Sequence, residues 1–308
     1  MTTMVALVGE QTIPNLLPMR YCKPEAVVLV YTKQTESRAR RLQTFLTETS
    51  DTEVYPLEIQ DAYRVAEIRH CLQEVLAGHP DLLFNLTGGT KTMAFAAYDL
   101  ARQSRSPFLY FQTEGPHGRD QRSFLYRYAW QGDEAELEAC IELSEALITL
   151  DDYLRAHFDG YKITGFSTDQ GGILERAVYA ALKEYVDEIM AGVRPHGMKD
   201  QIEIDLAVRC GNQVGFIEVK RGGGESGKRA VDQLTTAAAR ELSGTYTARF
   251  IVTGITQDEQ YKAMANALNI MVIELSEWRW NRRSLSTSDA QRLRQAIAQR
   301  LPYARRVA

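Results

Sequence analysis

The sequence has few of the residues that build disulfide frameworks, zinc sites or membrane spans. Its four cysteines are scattered without a C-x-x-C pair, and its five histidines are isolated from one another. This spacing predicts a reduced chain without structural zinc. No run of about 18 apolar residues occurs, and the segment MTTMVALVGEQ lacks a basic region. We therefore expect no membrane span, no signal peptide and a cytoplasmic location.

Two nucleotide-binding motifs are also missing. The Walker P-loop requires G-x-x-x-x-G-K-[ST], and the segment TGGTK that ends at Lys91 has no glycine at the required upstream position. After Gly9 the first predicted strand continues as EQTIP. The G-x-G-x-x-G fingerprint is therefore absent there, which disfavours a dinucleotide cofactor.

Apolar runs alternate with helical patterns through the first half of the chain. Predicted strands cover 4–9, 26–32, 52–59, 81–87, 107–113 and 123–130, and predicted helices cover 36–49, 62–77, 91–103 and 133–150. Buried strands separated by helices are typical of a parallel sheet that is covered on both faces. We therefore predict a Rossmann-like α/β domain over residues 1–148.

A second α/β domain is predicted over residues 166–308, after a linker at 149–165, where the chain changes character and mixes a helical turn with Gly and Thr. Its predicted helices cover 172–191, 229–243 and 258–268, and its predicted strands cover 202–208, 214–220, 248–254 and 270–275. A last helix is predicted to begin near Ser288, which could form a capping box with Gln291.

The segment FNLTGGTKTM, residues 84–93, ends the fourth predicted strand and opens a helix. Gly88 and Gly89 let the backbone turn tightly and expose consecutive N–H groups. The N-terminus of the following helix adds further donors and the positive end of its dipole. With Lys91 beside it, this turn is predicted to bind an anion or a nucleotide. The alternative is an ordinary strand-to-helix turn in which glycine and an N-cap threonine only satisfy the helix end.

Residues 201–220, QIEIDLAVRCGNQVGFIEVK, predict a β-hairpin whose two-residue loop is Gly-Asn. In that register Asp205 lies opposite Glu218 on one face of the sheet. Carboxylates directly opposite each other destabilise a sheet, and a divalent metal between them would remove the conflict. The alternative is a solvent-facing surface whose charges have no chemical role.

The pattern N-x-T-G-G-T-K-x-M after a predicted strand resembles the signature of CARF domains, which sense cyclic oligoadenylates in type III CRISPR defence. The resemblance covers residue 1 to about residue 145. It implies a homodimer that holds the ring in a two-fold cleft, with cyclic tetra-adenylate as the expected ring. The implied ligand-binding residues are Gly9, Gln11, Thr12, Thr32, Lys33, Asn85, Thr87, Gly88, Gly89, Thr90, Lys91 and Thr92.

The second domain resembles the PD-(D/E)xK nucleases, also called restriction-endonuclease-like. A helix with Glu175 precedes a strand with Asp205 and a strand with Glu218-x-Lys220, and the hairpin register places Glu203 opposite Lys220. The resemblance implies a Mg²⁺ or Mn²⁺ site and general electrostatic stabilisation of phosphodiester hydrolysis. The implied catalytic residues are Glu175, Asp205, Glu218, Lys220 and Gln233, and the implied metal ligands are Asp205, Glu218, Glu175 and the carbonyl of Val219.

The C-terminal thirty residues, from Arg279, contain eight arginines and a single acid, Asp289. A basic cluster in the domain that carries the acidic hairpin fits a polyanionic substrate. The alternative is that these arginines only keep the surface of a terminal helix soluble.

Together the two resemblances imply an endonuclease for antiviral defence that is metal-dependent and allosterically activated by a cyclic oligoadenylate. It is expected to cleave DNA, RNA or both. Two other functions use the same residues: a sensor or regulator that binds nucleic acid without cutting it, and a ring nuclease that degrades the activator. A repair or restriction enzyme with a Rossmann-like scaffold is a weaker alternative.

Overall fold

The computed structural model describes residues 1–115, 121–168, 171–196, 203–220, 246–279 and 282–301. The described chain forms two compact units. The first comprises Met1–Glu114 and Arg122–Leu143, and the second runs from Ser144 onward. The predicted helix at 229–243, which includes Gln233, lies outside the described residues. Within the described ranges, no helix is long and apolar enough to cross a membrane.

The first unit is a mixed sheet flanked by helices. Its strands are β1 (Thr2–Leu7), β2 (Ala26–Tyr31), β3 (Glu53–Glu58), β4 (Asp81–Asn85), β5 (Phe108–Glu114), β6 (Arg122–Gln131) and β7 (Glu134–Glu142). Its helices are α1 (Ile13–Cys22), α2 (Glu36–Thr49), α3 (Val65–Leu76) and α4 (Lys91–Ser104), with a short 3₁₀ helix at Lys33–Thr35. The strand order is β3-β2-β1-β4-β5-β6-β7, and β1 to β5 are parallel.

The central strands of this sheet are apolar on both faces. Met4, Ala6 and Leu7 of β1 are fully buried, and so are residues 26–30 of β2. Continuous apolar strands of this kind are buried when helices cover both sides of a parallel sheet. The fold therefore agrees with the mixed α/β class that the alternating pattern predicts.

The second unit contains a second mixed sheet. Its helices are α5 (Leu150–His157), α6 (Gly171–Leu182), α7 (Glu259–Ala267) and α8 (Thr287–Arg300). Its strands are β8 (Tyr161–Ile163), β9 (Glu188–Pro195), β10 (Ile204–Cys210), β11 (Gln213–Lys220), β12 (Thr247–Thr253) and β13 (Ile270–Glu274). The strand order is β13-β12-β11-β10-β9-β8. The pairs β8–β9, β9–β10 and β10–β11 are antiparallel, and the pairs β11–β12 and β12–β13 are parallel.

The predicted helix at 133–150 is wrong. Strand β7 occupies residues 134–142 of this segment and pairs antiparallel with β6. Its sequence EAELEACIE is rich in good helix formers, but the glutamates at 134, 136 and 138 also alternate with period two. Pairing with β6 outweighs the intrinsic preference for a helix, because propensity is a weak determinant beside tertiary contacts.

The predicted helix at 172–191 is only half correct, because α6 ends at Leu182 and β9 begins at Glu188. The predicted linker at 149–165 contains α5 and β8, and β8 pairs with β9 in the second sheet. In addition, Ser286 and not Ser288 caps α8, since its hydroxyl accepts a hydrogen bond from the Asp289 amide.

The predicted hairpin register is confirmed. Leu206 lies opposite Ile217, and Cys210 lies opposite Gln213. Gly211 has a φ of 59°, which is the left-handed region that glycine adopts most easily. The turn residue therefore sets which side chains of β10 and β11 share a face.

Candidate functional sites

The exits of β1 and β4 form one continuous backbone surface in the first unit. A Cβ on Gly88 would lie 1.9 Å from the Leu7 carbonyl oxygen, and a Cβ on Gly9 would lie 2.9 Å from the Gly89 nitrogen. Neighbouring parallel strands whose crossovers leave in opposite directions create a ligand crevice at their carboxyl ends. The glycines are needed here because the two loops approach too closely for side chains.

The Asn85 side chain connects the loop after β4 to the segment that follows β1. Its Nδ2 donates to the Pro14 carbonyl at 2.8 Å and to the Asn15 Oδ1 at 3.1 Å. Asn15 in turn donates to the Leu7 carbonyl at 2.9 Å. Asn85 is fully buried, so its side chain supports the loop from inside the fold. Asn15 belongs to α1, a helix that the sequence analysis does not predict.

The threonines of the TGGTKT turn fasten it to the surrounding elements. Thr87 Oγ1 donates to Asn85 Oδ1 at 2.8 Å and accepts from the Phe111 amide at 2.7 Å. Thr90 is the N-cap of α4 and accepts from the Met93 amide at 3.2 Å. Thr92 Oγ1 donates to the carbonyl of Ala62. These hydroxyls already have partners within the protein.

The remaining predicted ligand residues differ in exposure. Gly89 and Lys91 are exposed at the start of α4, where the first N–H groups of a helix have no intrahelical acceptor. Thr12 is buried, while Gly9, Gln11 and Thr32 are half-buried. Lys33 Nζ lies 2.6 Å from Glu36 Oε2 on the surface at the exit of β2. The exposed donors of this site are thus concentrated at the glycine turn and Lys91.

Asp205, Glu218 and Lys220 converge in the second unit. Asp205 Oδ2 accepts a hydrogen bond of 2.7 Å from the Val219 amide. Lys220 Nζ lies 2.5 Å from Glu218 Oε1. Glu218 is buried although it carries a carboxylate. A buried carboxylate is costly unless it is paired, and Lys220 supplies that partner.

Electrostatics at this centre oppose its negative charge. Burial, together with the neighbouring Glu218, raises the pKa of Asp205 well above its ordinary value. Burial also raises the pKa of Glu218, and Glu175 adds to the effect. Burial alone would lower the pKa of Lys220, but Glu218 and Asp205 outweigh burial and raise it. The three acids and one ammonium therefore form one electrostatic cluster that favours added positive charge.

Glu175 reaches the cluster from α6. It is buried, and its Oε2 accepts a hydrogen bond of 2.9 Å from the Ser167 amide. This bond fixes one carboxylate oxygen against the segment that precedes the helix. Glu175 therefore interacts electrostatically with Asp205 and Glu218 while its carboxylate is bonded to Ser167.

The donor set of this cluster fits a hard divalent cation, because such ions prefer carboxylate oxygens and the crowded acids lack a full charge balance. The described residues nevertheless contain no group of three or more His, Cys, Asp or Glu side chains in a metal-holding arrangement. The predicted four-ligand set therefore stays a prediction.

Glu203, which the hairpin register predicts opposite Lys220, has its carboxylate bonded to Arg194 and Thr164. Its Oε2 lies 2.6 Å from Arg194 Nη2 of β9, and its Oε1 accepts from Thr164 Oγ1 at 2.7 Å. The sequence analysis misses Arg194 because it predicts no strand over 188–195 and assigns residues 188–191 to a helix. A strand predicted at 188–195 would have placed Arg194 next to β10 and indicated its contact with Glu203.

Three arginines of α8 donate hydrogen bonds to backbone carbonyls within the fold. Arg292 donates to the Glu274 carbonyl at 2.8 Å, and Arg294 donates to the Ala181 carbonyl at 2.9 Å. Arg300 donates to the Asn269 carbonyl at 2.7 Å. These contacts favour a packing role for the described arginines of α8 over a role in substrate binding.

Residues 3–146 match the family profile described as the Card1 CARF domain. This match agrees with the resemblance that the N-x-T-G-G-T-K-x-M pattern indicates. No curated protein sequence matches the chain.

Solved structures share the fold of nearly the whole chain. The structure of Can2 from Sulfobacillus thermosulfidooxidans in complex with cyclic tetra-adenylate is 17% identical, with a TM-score of 0.72, and the alignment covers 98% of this chain and 99% of Can2. Protein VC1899 from Vibrio cholerae is 12% identical, with a TM-score of 0.72 and 98% coverage of both chains. A type III CRISPR defence DNA nuclease activated by cyclic oligoadenylate is 17% identical, with a TM-score of 0.66. Its alignment covers 97% of this chain but only 53% of that nuclease.

Proposed function

We propose that this protein is a metal-dependent endonuclease of type III CRISPR defence that is activated when its first unit binds a cyclic oligoadenylate. The observation that carries this proposal is the convergence of Asp205, Glu218 and Lys220 in a chain whose residues 3–146 match a CARF profile. The fold shared with a Can2 structure that holds cyclic tetra-adenylate supports the same activator. The fold shared with a cyclic-oligoadenylate-activated DNA nuclease supports the same class of reaction.

The glycine turn suits the phosphates of such a ring. Gly88 and Gly89 allow the tight turn after β4, and the exposed Lys91 adds a positive charge at the N-terminus of α4. Two copies of this turn in a homodimer would present a two-fold site to a ligand that is itself symmetric. Binding activates the enzyme only if the ring has a higher affinity for the active arrangement of the dimer.

The second unit supplies the residues for hydrolysis. Asp205 and Glu218 would hold Mg²⁺ or Mn²⁺, with Glu175 and the Val219 carbonyl as further candidate ligands. When bound, such an ion acidifies a water molecule and offsets charge at the scissile phosphate. Lys220 keeps the Glu218 carboxylate oriented through their 2.5 Å contact, and its ammonium stabilises the negative charge that develops on the phosphoryl oxygens.

A cleavage assay tests this proposal. The protein is incubated with Mn²⁺ and single-stranded DNA, plasmid or RNA, with and without each cyclic oligoadenylate. We expect cleavage that requires the ring, and we expect Lys220→Ala to slow it by roughly 10²–10³-fold if Lys220 acts as one preorganised donor. The variant should still bind the ring, since Lys220 belongs to the second unit.

Two results would contradict the proposal. Ring binding without cleavage of any nucleic acid would indicate a sensor or regulator. Loss of the ring itself during incubation, unchanged in Lys220→Ala, would indicate a ring nuclease in the first unit.

A further inference from the structure

A basic pair lies on the second sheet beside the acidic cluster. Lys162 of β8 is directly opposite Arg194 of β9 in the strand register. Lys162 is exposed, and Arg194 is 40% exposed at its side chain. Like charges directly opposite each other destabilise a sheet, so this placement is unfavourable for the isolated fold unless an anion compensates it.

Glu203 interacts with both cations of this pair. Arg194 is paired with Glu203 at 2.6 Å, and Lys162 is a more distant electrostatic neighbour of the same carboxylate. The Glu203 carboxylate thus interacts with both Arg194 and Lys162. Lys162 is nevertheless exposed to solvent.

Glu203 connects this pair to the acidic cluster. It interacts electrostatically with Glu218, and its other oxygen is bonded to Thr164 at 2.7 Å. Neighbouring strands are about 4.8 Å apart, so Lys162 on β8 lies roughly 14 Å from the β11 strand that carries Lys220, three strands away.

The glycine of β9 keeps the intervening surface compact. Gly192 has a φ of 66°, and a Cβ there would lie 2.1 Å from the Gly165 carbonyl oxygen and 2.4 Å from Thr164 Oγ1. The Thr164 amide donates to the Gly192 carbonyl at 2.8 Å. The segment that follows Lys162 is thus fastened to β9, which fixes the position of the basic pair relative to the acids.

We infer that Lys162 and Arg194 form a phosphate-binding track that holds the substrate strand on one side of the cleavage centre. The inference rests on the proposed nuclease function. Lysine and arginine contacts to phosphates position a nucleic acid without reading its sequence. The track therefore contributes affinity for the backbone of DNA and RNA alike and sets the direction in which the strand leaves the acidic cluster.

Binding by a cleavage-deficient protein tests the role of Lys162. In the Lys220→Ala background with Mn²⁺, fluorescence anisotropy measures the Kd for labelled single-stranded DNA, duplex DNA and RNA across a salt series. We expect Lys162→Gln to raise the Kd roughly threefold and to reduce the slope of log K against log salt by about 0.7–0.9.

The matched control is Lys183→Gln, which removes the same charge from an exposed lysine of the second unit. Lys183 directly follows the last residue of α6, Leu182, and lies eight residues beyond Glu175 in the chain. We expect it to leave both Kd and slope unchanged. If Lys162→Gln and Lys183→Gln gave the same Kd and the same salt slope, the phosphate-binding track would be overturned. Lys162 would then only protect the edge of the sheet.

Arg194 needs a different design because it neutralises Glu203. The double variant Arg194→Gln with Glu203→Gln removes both charges without leaving the carboxylate alone, and Glu203→Gln by itself removes only the acid. We expect the single Glu203→Gln variant to tighten binding and the double variant to bind more weakly than that single variant by roughly threefold. Identical affinities of the two variants would remove Arg194 from the track.

The outcomes separate this inference from the proposed function. If the parent protein cleaves nucleic acid while Lys162→Gln matches the Lys183→Gln control, only the track is wrong. If the parent neither binds nor cleaves any nucleic acid, the proposed nuclease and the track are both wrong.

Discussion

The Asp205 carboxylate accepts a 2.7 Å hydrogen bond from the amide of Val219, the residue between Glu218 and Lys220. A side chain of β10 thereby accepts a hydrogen bond from a backbone N–H group of β11. That N–H group lies between the charged residues Glu218 and Lys220 in the chain. The bond holds the Asp205 carboxylate close to Glu218, although burial and that neighbour raise the pKa of Asp205. The fold thus keeps an electrostatically unfavourable arrangement, as functional sites often do.

Asp205→Asn is expected to stabilise the metal-free protein at neutral pH. The raised pKa of Asp205 means that the folded state binds its proton more tightly, so this carboxyl contributes stability at low pH and loses it as pH rises from about 4 through the raised pKa. Asparagine keeps an acceptor for the Val219 amide and removes the charge. In EDTA at pH 7.5 we expect a gain of about 1 kcal/mol, or roughly 2–4 °C in Tm.

The same variant has a metal-dependent counterpart. Mn²⁺ should raise the Tm of the parent protein more than that of Asp205→Asn, because the variant has lost a carboxylate ligand. Asp51→Asn, which removes an exposed carboxylate of the first unit, should change neither value. A Tm of Asp205→Asn below that of the parent in EDTA would contradict the electrostatic assignment.

Gly88→Ala is expected to disrupt the ligand turn. The added Cβ would lie 1.9 Å from the Leu7 carbonyl oxygen, so the two strand exits must move apart at a cost of about 1–3 kcal/mol. Urea denaturation measures the loss in free energy of unfolding. Gly78→Ala is the control, because a Cβ there meets nothing within 4 Å. Equal stabilities of the two variants would mean that the close approach of the loops is not needed.

Asn85→Asp tests whether this side chain supports the turn from inside the fold. The substitution removes the two donor bonds to Pro14 and Asn15 and buries a charge, which we expect to cost about 3 kcal/mol at neutral pH. Differential scanning calorimetry should show a lower Tm than for Asn266→Asp on the exposed face of α7. A normal Tm combined with weak ring binding would instead make Asn85 a ligand contact.

Lys91→Ala should weaken binding of the activator without changing stability. Lys91 is exposed, so its removal leaves the core intact, while loss of one charge-assisted contact costs about 1.5–3 kcal/mol, or roughly 10–150-fold in Kd. Isothermal titration with cyclic tetra-adenylate measures the change. Lys183→Ala serves as the control in the second unit. An unchanged Kd would place the ring away from the glycine turn.

Local patterns predicted much of the fold and of the arrangement of residues at both candidate sites. The helix over 36–49 and the register around the Gly211 turn were predictable because periodicity and turn chemistry act over a few residues. Strand β7 was not predictable in this way, because its glutamates and alanines favour a helix and only pairing with β6 makes it a strand. β9 was missed for a similar reason, and with it Arg194.

The sequence by itself determined the hairpin register, and with it which acids of β10 and β11 share a face, because alternation and a two-residue turn leave a single pairing. It also determined the glycine turn after β4, since the residues that allow close backbone approach are adjacent in the chain. Only the tertiary structure decided that Asn85 supports that turn and that Arg194 pairs with Glu203. Those contacts join residues that are distant in sequence or lie on a strand that exists only because neighbouring strands complete its hydrogen bonds.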